Sequence, residues 1–249
     1  MNRNEFLEAL PLSHLVLKLT GASLDIAPDD SIDYISVLAS GTDGDVNALK
    51  LFTTGNRLLV EQPAISRQYK PADSRWLQVT IRLPASWKGR FDIRTVTGCI
   101  TAHGLRGTEL ALETGSGRIS ASSMHFISAE IRTGSGDARL TDVCFENAGL
   151  HTASGTITVQ DCAIAKCTVT LRSGHASLDY HAPFDAIQAS SVAGNLDVAA
   201  PITACSIQAH TSSGRVSTIS LEHDESAGSF VDFSSLSGNL SITSTLPEE

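Results

Sequence analysis

Aromatic residues are scarce in this chain. Phe, Tyr and Trp together make up 5% of the 249 residues, whereas Gly, Ser, Thr and Ala are plentiful. A compact globule normally draws much of its core area from large aromatic side chains. The composition therefore argues against a thick globular core and favours a thin one, built from many small and β-branched residues.

Basic charge and long apolar runs are also lacking. Eighteen Lys and Arg residues stand against 27 Asp and Glu residues, which gives a formal net charge of −9, and no two basic residues are adjacent. Nucleic acids and anionic lipids are bound by basic surfaces, so we expect no nucleic-acid partner. No apolar stretch approaches the roughly 18 residues of a membrane-spanning helix, so we expect no membrane insertion.

The cysteines form no recognisable framework. Their number is odd, and only Cys162 and Cys167 lie close together, without a second pair or a His partner that would complete a zinc site. We therefore expect no cofactor, and reduced cysteines that serve as small core residues in the cytoplasm. Residues 1–10 lack the apolar run of a signal peptide, which agrees with a cytoplasmic location; a cell-surface location is the alternative if a native export signal is missing from this chain. The five cysteines are Cys99, Cys144, Cys162, Cys167 and Cys205.

What the chain does contain is a repeat. A small residue followed by glycine recurs about every 19 residues, and the small residue is serine in six of eight cases. The first four intervals are 19 residues, the next two are 20 and the last is 24. A fixed period of this length indicates a repeat architecture. The turn glycines are Gly98, Gly117, Gly136, Gly155, Gly174, Gly194, Gly214 and Gly238.

Apolar residues are locked to these glycines. They occupy the positions two and four after each glycine and five and seven before it, with polar residues between them, as in Ile119 and Ile131 around their turns. This alternation predicts a strand on each side of the turn. Strands this short bury a face only when successive units stack at about 4.8 Å, in columns of equivalent residues.

The predicted fold is therefore all-β: a single-stranded parallel β-solenoid, or β-helix, of about eight coils with a period near 19 residues. The crossover rule favours a right-handed path, and the cross-section has either two or three faces. We expect the turn glycines to adopt a positive φ. A Thr or Ser stands three residues before every turn glycine except Gly174, where Leu171 takes its place, and its hydroxyl is expected to bond to the turn backbone or to a neighbouring coil.

Residues 1–90 lack the repeat but keep strand periodicity. We interpret them as an irregular β region that caps the solenoid of residues 91–249. Asn4–Leu10 is predicted to form a short helix ended by Pro11, and Trp76 and Trp87 are predicted to cover the apolar end of the first coil. Gly55-Asn56 predicts a hairpin turn. Predicted strands span 15–19, 34–38, 48–52, 58–60 and 76–81.

Two further segments lie at the C-terminal end of the repeat. The 24-residue interval before Gly238 holds about five extra residues within Glu222–Ser229, which we interpret as a tolerated surface loop at one corner. Pro247–Glu249 is expected to discourage end-to-end stacking.

The turns resemble those of a known family. The segments Thr114–Ile119, Thr133–Ala138 and Thr152–Ile157 read TGSGRI, TGSGDA and TASGTI. They resemble the bacterial "putative adhesin" β-strand-repeat family of unknown function, which is marked by repeated Ser-Gly-Asp-Ile turns. Residues 76–84 and 91–93 look like its run-in, so the resemblance covers roughly residues 15–246.

The resemblance implies a solenoid fold and an adhesin-like role, and it transfers no catalytic residue. The chain departs from the family pattern in two respects. It shows no export signal, and it has the family's aspartate only at Asp137; the matching positions hold Arg118, Thr156, His175, Asn195 and Arg215.

Two carboxylates are the candidate surface site. Asp142 and Asp161 both stand six residues after their glycines in adjacent units, so stacking places them about 5 Å apart. That separation is close to that of retaining glycosidase carboxylates, and such a pair can also bind calcium. A solvated pair of like charges at a turn is the simpler interpretation, and we favour it.

The remaining outward positions suggest no catalytic cluster. The column four residues before the glycines alternates in charge through Arg94, Glu113 and Arg132, which predicts cross-strand ion pairs. No nucleophile elbow, P-loop or dinucleotide fingerprint is present. The leading hypothesis is a non-enzymatic scaffold or adhesin-like module that contacts a protein, a glycan or itself as a homo-oligomer. The alternative is a carbohydrate-active enzyme or calcium-binding solenoid that uses Asp142 and Asp161.

Overall fold

The computed structural model describes residues 1–63 and 76–246, and strands dominate them, which confirms the all-β prediction. The helix α1 has six residues, and no helix among the described residues is long and apolar enough to cross a membrane. The elements are β1 Asn2–Glu8, β2 His14–Leu19, β3 Ser23–Asp29, β4 Tyr34–Gly41, α1 Asp43–Ala48, β5 Lys50–Thr54, β6 Arg57–Glu61, β7 Leu77–Pro84, β8 Gly89–Thr95, β9 Ile100–His103, β10 Arg106–Thr114, β11 Ile119–Thr133, β12 Ala138–Thr152, β13 Thr156–Leu171, β14 His175–Tyr180, β15 Ala186–Ser191, β16 Asn195–Ala200, β17 Ala204–Thr211, β18 Val216–Ile219, β19 Glu222–His223, β20 Phe230–Ser235 and β21 Leu240–Ser244.

Two long parallel ladders flank the row of turn glycines. The segments before the glycines pair in the order β6, β2, β8, β10, β11, β12, β13, β15, β20 and β17, and we name their outer surface the pre-glycine face. The segments after the glycines pair in the order β7, β3, β9, β11, β12, β13, β14, β16, β21 and β18, and form the post-glycine face.

A third, short ladder closes the central units. β11, β12 and β13 continue around a corner after the post-glycine segment, and Met124, Val143 and Cys162 pair in register beyond it. These three side chains are buried, as are Phe126 and Phe145 two residues further on. The number of faces, which the sequence left open, is therefore three in this part of the stack.

The register places equivalent residues in columns, as the repeat predicts. Ile131, Leu150 and Val169 pair across three successive units and are fully buried. Because each column is apolar on its inner side, every unit covers the core of the next. The hydrophobic effect, at roughly 25 cal/mol per Å² of buried apolar surface, therefore acts along the whole stack.

The hydroxyl column closes the turns. The Thr114 Oγ1 accepts a hydrogen bond of 2.9 Å from the Gly117 backbone N–H, and the corresponding bonds in five other units measure 2.6–3.0 Å. In the Gly136 unit the Thr133 hydroxyl instead donates to the Gly136 carbonyl at 2.8 Å. The hydroxyl therefore supplies a local partner for a turn backbone group that the ladders leave free.

The prediction of a positive φ at the turn glycines is wrong. The described glycines with a positive φ are Gly55 and Gly104, and neither is a turn glycine. The turns need glycine because neighbouring backbones approach closely: a Cβ on Gly136 would lie 1.8 Å from the carbonyl oxygen of Gly117. At all eight turn glycines the nearest backbone oxygen would lie 1.8–2.4 Å from a Cβ.

The stacking order departs from the chain order at the end of the chain. β20 lies between β15 and β17, and β21 lies between β16 and β18. The Gly238 unit is therefore inserted between the Gly194 and Gly214 units. The chain must step back past one unit to enter this gap, and the 24-residue interval supplies the extra length.

The segment Glu222–Ser229 is more than the surface loop expected from the sequence. Its first two residues form β19, which pairs with the start of β17. At its end Ser229 is buried, and its hydroxyl donates to the Phe184 carbonyl at 2.7 Å. The segment is the return path that leads the chain into the gap. It is held by the pairing of β19 at its start and by the Ser229 hydrogen bond just before β20 at its end.

The first 63 residues continue the two ladders with further strands. β2 and β3 pair with β8 and β9, so they form a further unit at the start of the stack. β1, β4 and β7 pair antiparallel, as do β5 and β6, which join at the predicted Gly55-Asn56 turn. The boundary at residue 90 remains a prediction.

Several local predictions in this region are wrong. Asn4–Leu10 is not a helix, because β1 alternates between exposed and partly covered residues in register with β4. The predicted strand 48–52 is wrong at its start, where Ala48 ends α1, and right from Lys50, where β5 begins. Trp87 packs edge-on against Phe91 at 4.9 Å, as a cover should, but Trp76 is 56% exposed. Pro247–Glu249 lies outside the described residues.

Candidate functional site

The two predicted site aspartates share a backbone conformation. Asp142 and Asp161 have φ values of 54° and 53°. The same corner, six residues after the turn glycine, is left-handed at Gly104, Ser123 and Ser220. Aspartate, serine and glycine tolerate this conformation better than β-branched or bulky residues do. The position of both carboxylates therefore has a structural cause that is independent of any ligand.

The structure brings the two aspartates together as strand neighbours. The residues beside them pair in register, so Asp142 and Asp161 are separated by about one strand spacing, ~4.8 Å. The Ser123 hydroxyl donates to Asp142 Oδ2 at 2.9 Å, and His181 Nδ1 lies 2.9 Å from Asp161 Oδ1. The side chains of Asp161 and His181 are 66% and 49% exposed, so this corner is open to solvent.

His181 is a residue of this corner that the sequence pattern did not indicate. The register shifts between Val159 and Cys162, so that Tyr180 stands beside Cys162. The Gly174 unit thus omits the left-handed corner residue, and His181 reaches Asp161 from the following position.

The corner has few of the features of an enzyme or metal site. Among residues 1–63 and 76–246, no group of three or more His, Cys, Asp or Glu side chains is placed to hold a metal ion. Tyr180, the aromatic residue that stands beside Cys162 in the next unit, is buried and packs against Phe184 at 5.2 Å. Tyr180 therefore provides no outward ring on which a sugar could stack.

Charges on the pre-glycine face are paired with one another. Arg94 lies 2.8 Å from Asp92 and 3.7 Å from Glu113 in the next unit, and Arg90 pairs with Glu109. The hydrogen bond with Asp92 raises the pKa of Arg94. Arg90, Asp92, Arg94 and Glu109 line a cavity of about 220 Å³.

The pairing continues one unit further along this face. Glu130 lies 3.0 Å from Arg132 and 2.5 Å from His151. At the other margin of the cavity, burial lowers the pKa of His14, and the nearby Arg57 and Arg90 add to the effect. The charges of this face are therefore largely compensated within the protein.

The post-glycine face carries a cluster of a different kind. Arg118, Asp137 and Arg139 surround a cleft of about 500 Å³ in the central units. Asp137 Oδ1 accepts a hydrogen bond of 3.1 Å from the Thr156 backbone N–H in the next unit. Within the described part of the chain, neither arginine side chain has an ion-pair or hydrogen-bond partner. Ser120, Thr156 and Thr158 complete the lining with hydroxyl groups.

Further along the same face, two asparagines form a ladder. The Asn195 Oδ1 accepts from the backbone N–H and the side-chain amide of Asn239, both at 3.0 Å. The Asn239 Oδ1 in turn accepts from the Arg215 backbone N–H at 2.8 Å. This chain of bonds follows the stacking order of the units, and it occupies side chains that would otherwise be available to a partner.

The cysteines are all free thiols, and three of them are core residues. Burial raises the pKa of Cys167 to about 12 and that of Cys205 to about 11, and it raises the pKa of Cys162 still further. These thiols stay protonated and unreactive at neutral pH. The expectation of core cysteines is wrong for Cys99 and Cys144, which are exposed.

Comparison with known proteins identifies the fold family. The family model described as Toastrack DUF4097 matches residues 12–248, which is nearly the whole chain. No curated protein matches the chain.

Three solved structures illustrate the fold, and each covers this chain almost completely. A "putative lipid binding protein" from Parabacteroides distasonis is 14% identical, covers 97% of this chain and 96% of its own, and has a TM-score of 0.63. A "putative adhesin" from the same species is 9% identical over 97% of both chains, with a TM-score of 0.62. A "putative adhesin" from Bacteroides fragilis is 11% identical over 98% and 97%, with a TM-score of 0.58. Identities this low show the shared fold alone.

Proposed function

This chain belongs to the Toastrack DUF4097 family, and we propose that it is a non-catalytic, adhesin-like interaction module. In this proposal its ladders wind as a right-handed parallel β-solenoid of about eight coils, with residues 1–90 as the cap. The long outer faces contact a protein or a glycan. No cofactor takes part.

The observation that carries the proposal is the composition of the post-glycine face. Its outward residues stand in register at about 4.8 Å, and most carry a hydroxyl, amide or guanidinium group. A regular row of hydrogen-bonding groups suits an extended partner that has a repeat of its own. The third position after successive turn glycines, in stacking order, holds Thr101, Ser120, Arg139, Thr158, Ser177, Asp197, Ser241 and Ser217.

The names of the structural neighbours support an interaction role. Two of the three carry the name "putative adhesin", and none of the three is named as an enzyme. These names favour a place at the cell surface, whereas the reduced cysteines favour the cytoplasm. We propose the surface location, which the names of the structural neighbours support.

Binding screens and an activity panel test the proposal together. The full chain is immobilised and probed with a glycan array and with extracts for pull-down, and the same preparation is assayed for glycoside hydrolase and lyase activity. We expect at least one saturable partner and no turnover. The proposal fails if no partner is captured while a hydrolase or lyase assay is positive.

A second candidate is a carbohydrate-active or calcium-binding site at Asp142 and Asp161. It is favoured by their adjacency and by the contact between Asp161 and His181 at 2.9 Å. The variant Asp142→Asn/Asp161→Asn keeps the size of both side chains and removes both charges. If this site acts, the variant loses detected turnover or calcium binding, whereas Glu146→Gln, an exposed control on the next face, keeps it.

Self-association is a third candidate, because the Gly214 unit ends the stack. β18 has β21 as its one partner among the described strands. The inward residue Val216 is 39% exposed, whereas Leu240 in the adjacent unit is 1% exposed. An exposed apolar edge of this kind can pair with a second copy. Light scattering would then show a dimer that Val216→Asn dissociates and the outward control Ser217→Asn does not; a monomer at every concentration excludes it.

A further inference from the structure

We infer that the cleft between Arg118 and Arg139 on the post-glycine face binds the carboxylate groups of an acidic sugar chain. This inference rests on the proposed interaction role and names the class of partner and the place where it binds. Four features carry it: the arrangement of the two arginines, their lack of partners, the groups around them and the shape of the cleft.

The register places the two guanidinium groups on one surface. Arg118 stands beside Asp137 in the next unit, and Arg139 stands beside Ser120 in the previous one. The two arginines are therefore diagonal neighbours in adjacent strands, with Cα atoms roughly 8 Å apart by strand geometry. Both side chains are exposed, and their length lets them converge on a single group between them.

The guanidinium groups are available because the nearest carboxylate is bonded elsewhere. Asp137 Oδ1 accepts from the Thr156 backbone N–H at 3.1 Å, which turns the carboxylate toward the following unit. On the pre-glycine face, by contrast, Arg94 and Arg132 each lie within 3.0 Å of a carboxylate. The post-glycine cleft thus holds two guanidinium groups against the one carboxylate of Asp137, an excess of positive charge in a protein whose net charge is −9.

The chemistry of the lining selects the ligand. Arginine binds carboxylates through two parallel hydrogen bonds, and such charge-assisted bonds are stronger than neutral ones. Ser120, Thr156 and Thr158 offer hydroxyl groups, and the second oxygen of Asp137 can accept from a sugar hydroxyl. No aromatic residue lines the cleft, so stacking on a neutral sugar ring contributes nothing and charge must supply the attraction.

The shape of the site favours a chain over a small free anion. The cleft of about 500 Å³ is within the usual range for ligand sites and is open along the face. Hydroxyl residues continue beyond the cleft in two directions. Ser122 and Thr141 lie two residues further along β11 and β12, and Ser177 lies beside Thr158 in the next unit. A polymer can use these groups, whereas inorganic sulfate or phosphate cannot.

The test uses the full chain and an oligogalacturonide as the acidic probe, with a galactan oligosaccharide as the neutral one. Binding is measured by calorimetry at low and high salt for the wild type, Arg118→Gln, Arg139→Gln and the double variant. Arg172→Gln is the control, because it removes the same charge from an exposed turn elsewhere. An unchanged urea midpoint for each variant shows that folding is intact.

We expect the wild type to bind the acidic probe and not the neutral one, with weaker binding at high salt. Each cleft variant should lose about tenfold in affinity or more, as for a charged hydrogen bond, and Arg172→Gln should lose little. The inference is overturned if the double variant binds like the wild type, if Arg172→Gln loses as much, or if inorganic sulfate alone competes as well as the probe.

The outcomes also separate this inference from the proposed function. If the wild type ignores the oligogalacturonide but captures another glycan or a protein in the screens, the cleft assignment fails and the interaction role stands. If the wild type captures nothing and is catalytically active, both fail.

Discussion

Replacing Gly136 by alanine tests why the turns need glycine. A Cβ at this position would lie 1.8 Å from the Gly117 carbonyl oxygen, whereas Cβ atoms in real structures do not approach within about 3.0 Å. The two units must therefore separate locally by about 1 Å. Three backbone hydrogen bonds join these units near the turn and would be stretched: Gly134 N to Thr114 O at 3.0 Å, Ser135 N to Gly115 O at 2.9 Å and Ile119 N to Asp137 O at 2.9 Å.

Each of these bonds contributes about 1 kcal/mol to stability, so their loss costs about 3 kcal/mol. The smaller entropy of the unfolded alanine chain offsets about 0.4–1 kcal/mol of this. We therefore expect Gly136→Ala to lower the free energy of unfolding by about 2–3 kcal/mol, which in urea shifts the midpoint by up to about 1 M. Gly228→Ala is the matched control, because nothing lies within 4 Å of a Cβ there.

A second substitution at the same position separates close approach from backbone conformation. Asparagine tolerates a positive φ better than alanine does. If φ were the reason for glycine, Gly136→Asn would be more stable than Gly136→Ala; close backbone approach predicts that it is no more stable. The reasoning is refuted if Gly136→Ala unfolds at the urea midpoint of the wild type, or if asparagine restores stability.

Further predictions concern the turn hydroxyls, the left-handed corner and the thiols. Thr114→Val removes the acceptor of the Gly117 N–H and should cost about 1–3 kcal/mol in urea unfolding, whereas the exposed control Thr170→Val should cost little. Asp142→Val places a β-branched residue at φ 54° and should lower stability by about 1–2 kcal/mol; Asp142→Gly should be tolerated, and equal losses would contradict the backbone explanation. A thiol reagent should modify Cys99 and Cys144 rapidly and the three buried thiols only after unfolding. Because burial raises the pKa of those three thiols above the ordinary 9.0, the unfolded chain loses their protons first, so the thiols' contribution to stability should be complete below about pH 9 and be lost as the pH rises further.

The repeat made most of the ladder predictable. A period of 19 residues with apolar positions on both sides of the glycine allows one register, because a shift of one residue would turn the inward columns outward. The pairing of Asp142 beside Asp161 followed from the same spacing. The role of the hydroxyl at Thr114 followed from its position three residues before the turn.

The order of the last units could not be predicted from the same pattern. Leu196, Leu240 and Val216 occupy equivalent inward positions and differ little in size, so the columns alone do not say which unit lies next to which. The difference lies in the return path, where Ser229 is anchored to Phe184. This contact joins residues 45 apart and leaves no periodic trace in the sequence.

The arginine cleft depends on a contact that the sequence does not reveal. Arg118 and Asp137 are neighbours in one column, which by itself predicts a cross-strand ion pair. In the structure Asp137 instead accepts a hydrogen bond from the Thr156 backbone. The local turn geometry determines which of these partners Asp137 takes. The partner of Asp137 in turn determines whether the guanidinium groups are available to a ligand.

One measurement tests the central claim most directly. Acidic polysaccharides are incubated with the immobilised chain, and the retained polymer is recovered and its length compared with that of the starting material. The account predicts saturable retention, weakened by Arg118→Gln/Arg139→Gln, and a recovered polymer of unchanged length. Shortened chains, or retention that the double variant leaves intact, would contradict it.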